Sequence, residues 1–284
     1  MGKVFIIAGP TASGKSAFTK RLAQEKNGVI LNGDSLQVYR GLEILTDQPS
    51  VEDKREVPHR LYGFLEPHHT CSVGKWISLL VPEIGKILKE GHTPIVVGGT
   101  GLYLKALSEG ITPIPSVDPT IRKNLQDQRR SQDSLYAELQ AIDSKLAAHI
   151  DPQDQQRTLR GLEVFYGTGK RLSIWQSQKP PPSPYKFKKI LLMPAKEELE
   201  LRITARLERM LEKGVLEEVS RILELSPSVT ALKAIGLREF GAFLQGQYSL
   251  EEAKEQILFH TRQYAKRQRT WFRHQFKADE SLFC

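Results

Sequence analysis

The residues best placed to do chemistry stand near the start of the chain, where Gly9-Pro10-Thr11-Ala12-Ser13-Gly14-Lys15-Ser16 fits G-x-x-x-x-G-K-[ST]. Glycines let a backbone bend until several N–H groups face inward, and a helix N-terminus adds partial positive charge there. The pattern predicts a phosphate cradle, with Lys15 on the outer phosphate and the Ser16 hydroxyl as a ligand to Mg²⁺. Such a motif needs a strand before it and a helix after it. Val4 to Ala8 is a short β-branched and aromatic run suited to a buried strand. Phe18 and Leu22 stand at helical spacing within Ala17 to Lys26. A glycine-rich turn matching by chance is the competing reading, and the strand, loop, helix context argues against it.

A second candidate is Asp34. Gly28-Val29-Ile30-Leu31 is another apolar run, closed by Asn32-Gly33-Asp34-Ser35, so Asp34 falls at the carboxyl edge of a strand. In an open parallel sheet ligands bind just outside those edges, so Asp34 and Lys15 are expected to face one cleft. Two roles are open to Asp34, an indirect metal ligand or a general base, against a loop-capping carboxylate without chemistry. A third strand, Ile95-Val96-Val97, runs into the glycine turn Gly98-Gly99-Thr100-Gly101 and a helix from Leu102 to Ser108. That turn is either a ligand contact or a tight turn alone. An ordinary P-loop kinase or NTPase would be expected to end an apolar strand in an Asp that helps hold Mg²⁺. Here Gly98-Gly99 stands instead, which weakens the kinase reading.

The elements that must position these residues are those of a soluble α/β chain. With 284 residues, 39% of them hydrophobic, one or two domains with a real core are expected. No apolar run approaches the ~20 residues of a membrane span, and Met1-Gly2-Lys3 leads into the first strand without a signal-peptide pattern, so a cytoplasmic protein is expected. Cys71 and Cys284 are the only cysteines, which excludes a disulfide framework and C-x-x-C zinc spacing. The excess of 41 Lys and Arg over 33 Asp and Glu, a net +8, suits an anionic partner. Between Gln256 and Ala278 there is no acid, while Arg262, Lys266, Arg269 and Arg273 recur along one side of a helix and Ile257, Tyr264 and Trp271 along another. A basic stripe with interleaved aromatics suits a nucleic-acid surface; a solvated helix face is the alternative.

Along the chain, Asp47 to Thr70 is polar, broken by Pro49, Pro58 and Pro67, and reads as loop with one short helix. Val73 to Lys89 is a helix that Pro82 is expected to bend. After Gly110 the composition changes. Residues 116–185, ending in Pro180-Pro181-Pro182-Ser183-Pro184, carry Leu125, Leu135, Leu139, Ile142, Leu146, Leu159 and Leu162 at helical intervals and read as a helical insertion. In it Gln155-Gln156-Arg157-Thr158-Leu159-Arg160 offers phosphate or base-edge contacts, or else a solvated face. Lys188 to Met193 is a further strand, and helices follow over Leu199–Leu211 and Leu216–Leu225, from Ala234, and from a capped start at Ser249-Leu250-Glu251-Glu252. The expected fold is α/β: a P-loop NTPase-like parallel sheet flanked by helices over 1–115 and 186–284, with a helical insertion domain at 116–185 and a helical C-terminal part.

Taken together the motifs resemble a known family, the tRNA dimethylallyltransferases, also called isopentenylpyrophosphate tRNA transferases. The resemblance rests on Gly9 to Ser16, Asp34-Ser35-Leu36-Gln37-Val38-Tyr39, Gly98-Gly99-Thr100-Gly101-Leu102-Tyr103, Gln156-Arg157 with Arg160, Ala234-Ile235-Gly236, and Thr261 to Gln268 with Trp271-Phe272. These pieces occur in the family order over nearly the whole chain. Leu237 stands where the family usually has Tyr, and Ser16 where it often has Thr; the extra Cys and His of zinc-finger members are not found here.

The resemblance implies transfer of a dimethylallyl group from dimethylallyl diphosphate to the exocyclic N6 of the adenosine just 3′ of a tRNA anticodon, with Mg²⁺ as cofactor. By the same resemblance Asp34 would take the N6 proton, Lys15 and the loop Gly9 to Ser16 would hold the diphosphate with Arg206, and Thr100 would contact substrate. Asp34, Ser35, Leu36, Gln37 and Thr100 would meet the target end of tRNA. Arg122, Gln156, Arg157, Thr158, Leu159 and Arg160 would bind its anticodon stem-loop. A monomer is expected. Three rivals stand beside this reading: a P-loop small-molecule kinase using ATP, an adenylate prenyltransferase acting on free nucleotide, and a non-catalytic RNA-binding protein. The kinase lacks its strand-end Asp, the second has little use for Gln156 to Arg160, and the third leaves Lys15 and Asp34 without a role.

Overall fold

A computed structural model describes residues 2–127, 130–181 and 183–283. Met1, Pro182 and Cys284, all named above, lie outside the described residues. The chain divides into two compact units, one formed by Met1–Ser108 with Ser183–Cys284, the other by Glu109–Pro182.

The first unit is built on six strands: β1 (Lys3–Ala8), β2 (Gly28–Asn32), β3 (His59–Arg60), β4 (Thr93–Gly98), β5 (Lys186–Leu192) and β6 (Glu280–Leu282). They pair in the order β3-β2-β4-β1-β5-β6, every pair parallel. A parallel sheet is covered on both faces, which is why β1, β2 and β4 are continuous Val, Ile and Leu runs rather than alternating ones. Ile6, Ile7, Leu31, Ile95 and Val96 have no exposed surface. The register sets Ala8 beside Gly98 and Asn32 beside Val97, so the loops after β1, β2 and β4 leave the sheet at one edge.

Around the sheet run α1 (Lys15–Lys26), α2 (Val51–Glu56), α3 (Val73–Lys89) and α4 (Gly101–Glu109). Pro82 sits inside α3 without ending it, because Trp76, Leu80, Ile84 and Ile87 bury one stripe over the whole length. The second unit holds α5 (Pro119–Asp127), α6 (Gln132–Ile142), α7 (Ser144–Ala147), α8 (Gln155–Thr168) and α9 (Leu172–Gln176). Its own core gathers Leu125, Leu135, Leu139, Leu146, Leu159 and Leu162, the leucines read at helical spacing. The chain then returns to the first unit through α10 (Lys196–Glu212), α11 (Val215–Glu224), α12 (Leu237–Leu244) and α13 (Leu250–Gln275).

Two features differ from the sequence expectation. Strands β3 and β6 were not expected; two and three residues long, they carry no readable periodicity and exist because a neighbouring parallel strand offers them a ladder. The helix expected from Ala234 begins at Leu237, after a 3₁₀ turn at Ala231–Lys233. Gly236 takes the left-handed conformation at φ 103°, and Glu239 accepts its N–H at 2.9 Å, so the helix is capped there. Leu237 itself is fully buried. The capped start of α13 is as expected, with Ser249 Oγ accepting from the Glu252 N–H at 3.2 Å and Glu252 Oε2 from the Ser249 N–H at 2.7 Å.

Candidate active site

The loop between β1 and α1 carries Lys15 on the first turn of the helix. Its ammonium donates to Pro10 O at 2.6 Å and lies 3.4 Å from Ser13 Oγ. Burial lowers the Lys15 pKa to about 8; Asp34 opposes that shift, Arg206 adds to it, and Asp47 opposes it. Lys15 and Asp34 therefore share one field, since the loops after β1 and β2 leave the same edge of the sheet with β4 between them.

Asp34 follows β2 in a tight Asx arrangement: its N–H donates to Asn32 Oδ1 at 2.8 Å, and its own Oδ1 accepts from the Leu36 N–H at 3.0 Å. Asn32 is anchored below by the indole of Trp76, which donates to Asn32 O at 2.9 Å. Oδ2 of Asp34 faces the Gly99 N–H at 3.4 Å. Beside it the Ser35 N–H donates to Thr100 Oγ1 at 3.0 Å, and the two hydroxyls are 3.2 Å apart. The Asp34 loop and the second glycine turn thus form one hydrogen-bonded unit.

Helix α10 brings arginines to the other side. Arg206 donates to Thr11 Oγ1 at 2.8 Å and to Leu45 O at 3.2 Å, while its buried Nε has no hydrogen-bond partner and lies 4.0 Å from Asp47 Oδ2. Arg202, one turn earlier, pairs with Glu198 and reaches Ala12 O at 3.5 Å. Both arginines and Lys15, Ser16, Asp34, Tyr62 and Tyr264 line a cleft of about 1320 Å³ within the first unit. Burial, with Asp34 adding to it, pushes the phenols of Tyr62 and Tyr264 far up, so both stay neutral donors.

The segment after Asp34 is fixed from two directions. Gln37 Nε2 donates to Thr46 O and Asp47 O, each at 2.9 Å. Glu218 of α11, 2% exposed, accepts from the Ile44 and Leu45 N–H groups at 2.8 Å each, and burial raises its pKa. Gln37, expected at the tRNA, therefore has its amide nitrogen engaged in holding the loop that also anchors Arg206.

The remaining tRNA candidates lie in the second unit. Arg157 is exposed and pairs with Asp154 at 2.7 Å; Gln156 is exposed; Arg122 and Arg160 both reach the buried carboxylate of Glu163, at 3.4 and 3.2 Å. Thr158 and Leu159 differ from the expectation. Both are buried on the inner face of α8, Thr158 Oγ1 accepting from Gln132 at 3.1 Å, so their side chains serve the unit's core. On α13, Arg262, Lys266 and Arg273 are exposed as a stripe, whereas Arg269 donates to Pro194 O at 2.8 Å.

Glu218 and Gln268 carry roles that no local motif in the sequence specifies. Gln268 is 6% exposed, accepts from the Thr11 N–H at 2.8 Å and donates to Gly99 O at 2.9 Å. A signal existed: between Ala265 and Phe272, both buried, helical periodicity puts an amide where an apolar residue belongs. Among the described residues no group of three or more His, Cys, Asp or Glu could hold a metal ion. The Ser16 hydroxyl lines the cleft and is a hard oxygen donor of the kind that fits Mg²⁺ when water and substrate phosphate complete its shell. Cys71 is buried and unpaired. No described helix is long and apolar enough to cross a membrane.

Comparison with known proteins places this geometry. The family described as IPP transferase matches residues 37–275. A tRNA dimethylallyltransferase of Bartonella tribocorum is 48% identical over 98% of this chain and 98% of its own. One from Bartonella henselae is 47% identical with the same coverage. Among solved structures, the full-length tRNA isopentenylpyrophosphate transferase of Bacillus halodurans is 34% identical, with TM-score 0.71 over 100% of this chain and 90% of that one. A eukaryotic dimethylallyltransferase acting on tRNA is 30% identical, with TM-score 0.82 over 96% of this chain and 70% of that one. A parallel sheet with a glycine-rich loop at one strand exit and a carboxylate at another, carried on a sequence this close to its relatives over 98% of its length, makes this chain a member of the tRNA dimethylallyltransferase family.

Proposed function

We propose that this chain transfers the dimethylallyl group of dimethylallyl diphosphate to N6 of the adenosine on the 3′ side of a tRNA anticodon. The observation that carries the reading is that Lys15 and Asp34 line one cleft and act on each other electrostatically. In the reaction a bond forms between N6 and the allylic C1, the C1–O bond to diphosphate breaks, and the N6 proton leaves. Adenine N6 is a poor nucleophile because its lone pair is shared with the ring. Two things are therefore needed, stabilisation of the leaving diphosphate and a base beside N6.

The diphosphate lies over the loop Gly9 to Ser16. Lys15 turns from Pro10 O to an outer phosphate oxygen, and Arg206, with its unpartnered Nε, closes on the diphosphate from α10 beside Thr11. Donors aimed at developing charge in a water-poor cleft contribute about 3 kcal/mol each. Ser16 would hold Mg²⁺, which when bound neutralises charge on the leaving group. Asp34 receives the N6 proton as bond formation acidifies it, a contribution of ~10² to 10⁴-fold. Thr100, whose hydroxyl is held by the Ser35 N–H and Oγ, would contact substrate from beside the Asp34 loop.

A stacked base cannot reach such a cleft, so the adenosine is extruded from the anticodon loop. Exposed Arg157, with Arg122, Gln156 and Arg160, contacts the anticodon stem-loop through phosphates. A monomer is the proposed state, and the substrate implies a cytoplasmic site of action. Incubation with labelled dimethylallyl diphosphate, Mg²⁺ and either tRNA, AMP or ATP is the test. Label is expected in tRNA; label in AMP alone, or phosphate transfer from ATP, would reject the reading.

A further inference from the structure

The mechanism above leaves the buried carboxamide of Gln268 unused. Gln268 lies on the inner face of α13 with both ends of its carboxamide engaged, Oε1 on the Thr11 N–H at 2.8 Å and Nε2 on Gly99 O at 2.9 Å. These partners belong to the two loops that must cooperate. Thr11 lies within the phosphate loop, and its hydroxyl also accepts from Arg206. Gly99 faces Asp34 Oδ2 with its N–H, and the next residue, Thr100, accepts from the Ser35 N–H.

Resting on the function proposed above, we infer that Gln268 is a positioning residue that sets the distance between the diphosphate loop and the Asp34 carboxylate. The chemistry of the bridge is selective. One end must accept and the other donate, which a carboxylate, an ammonium or a thioether cannot do. Asn is one methylene shorter and cannot span both loops from the same Cα, which Ala265 and Phe272 hold in the core. The approach is close enough that a Cβ on Gly99 would lie 2.6 Å from Gln268 Nε2 and 3.4 Å from Asp34 Oδ2, so the glycine turn is shaped around this amide. Loops released from the bridge move the base relative to the leaving group, and a misplacement of ~1 Å costs ~10²-fold in a reaction that depends on alignment.

The test is the single-turnover rate of the preformed enzyme, dimethylallyl diphosphate and tRNA complex. Gln268→Met keeps the volume and removes both hydrogen bonds; Gln268→Glu keeps the acceptor and loses the donor. Gln268→Met is expected to slow the bond-forming step about tenfold to a hundredfold, with the Kd of each substrate within about threefold of the unmodified protein. In an Asp34→Asn background the same change should cost less than about threefold, because no base remains to be misplaced. Gln268→Glu should lose rate too, and regain it relative to the unmodified protein as pH falls, since a protonated Glu again offers one donor and one acceptor. A Gln268→Met rate within twofold of the unmodified protein, or an equal loss in both backgrounds, overturns the inference. An Asp34→Asn variant at full rate instead rejects the base assignment, and the inference falls with it. A slow Asp34→Asn beside an unimpaired Gln268→Met rejects the inference alone.

Discussion

Lys15 should make diphosphate binding depend on pH in a range where the ligand itself does not titrate. Burial pulls its pKa from 10.5 to about 8, so about nine-tenths of the protein carries the charge at pH 7 and about one-tenth at pH 9. An anion arriving at the loop favours the ammonium, so binding raises the pKa again and takes up a proton. The sign follows: affinity is at its plateau below pH 8 and falls as pH rises through it, approaching tenfold per pH unit above. A phosphate monoester is fully ionised above pH 7, since its second pKa is ~6. Calorimetry with dimethylallyl diphosphate and no tRNA, in buffers of different ionisation heat, reads both quantities. Near pH 8 about half a proton should be taken up per diphosphate bound, and close to none at pH 7. Lys15→Arg should bind more weakly but flatly across this range, because a guanidinium does not titrate there. Asp34→Asn should move the fall to lower pH, since Asp34 is the largest group raising the Lys15 pKa. An affinity that is flat from pH 7 to 9.5 with no proton uptake would refute the argument.

Two further outcomes follow from the contacts. Arg157→Ala should weaken tRNA binding and reduce the slope of log K against log salt by about one, whereas Thr158→Val, on the buried side of the same helix, should leave both unchanged; filter binding from low to moderate salt separates them. Glu218→Ala leaves the Ile44 and Leu45 N–H groups unpartnered, so denaturant unfolding should show a loss of about 2–4 kcal/mol, with weaker diphosphate binding because Leu45 O supports Arg206. A change below about 0.5 kcal/mol would show that the loop does not depend on that carboxylate.

What could be read beforehand, and what could not, divides along physical lines. The phosphate loop, the exit of β2 at Asp34 and the turn after β4 follow from local rules, because a buried parallel strand is an apolar run and its loop begins where the run ends. The second unit's leucines were likewise legible as a helical repeat. Thr158 and Leu159 are expected at the tRNA because they sit among Gln156, Arg157 and Arg160; at 3.6 residues per turn each step turns about 100°, which carries Thr158 and Leu159 to the core while Gln156 and Arg157 face out. Strands β3 and β6 depend on partners far away in sequence, and nothing within two or three residues announces them. Gln268 and Glu218 belong to the same class. Their partners, Thr11 and Gly99 in one case and Ile44 and Leu45 in the other, are set by tertiary packing, and only a polar residue in an apolar stripe hinted at either.

The proposed reaction depends on one carboxylate taking a proton next to a phosphate loop that holds the leaving group. Its most direct test is the single-turnover rate of Asp34→Ala, measured with both substrates already bound. The expected result is a rate lower by ~10² to 10⁴-fold, with tRNA and dimethylallyl diphosphate each bound within about threefold of the unmodified protein. An unchanged rate, or a loss confined to tRNA affinity, would contradict it.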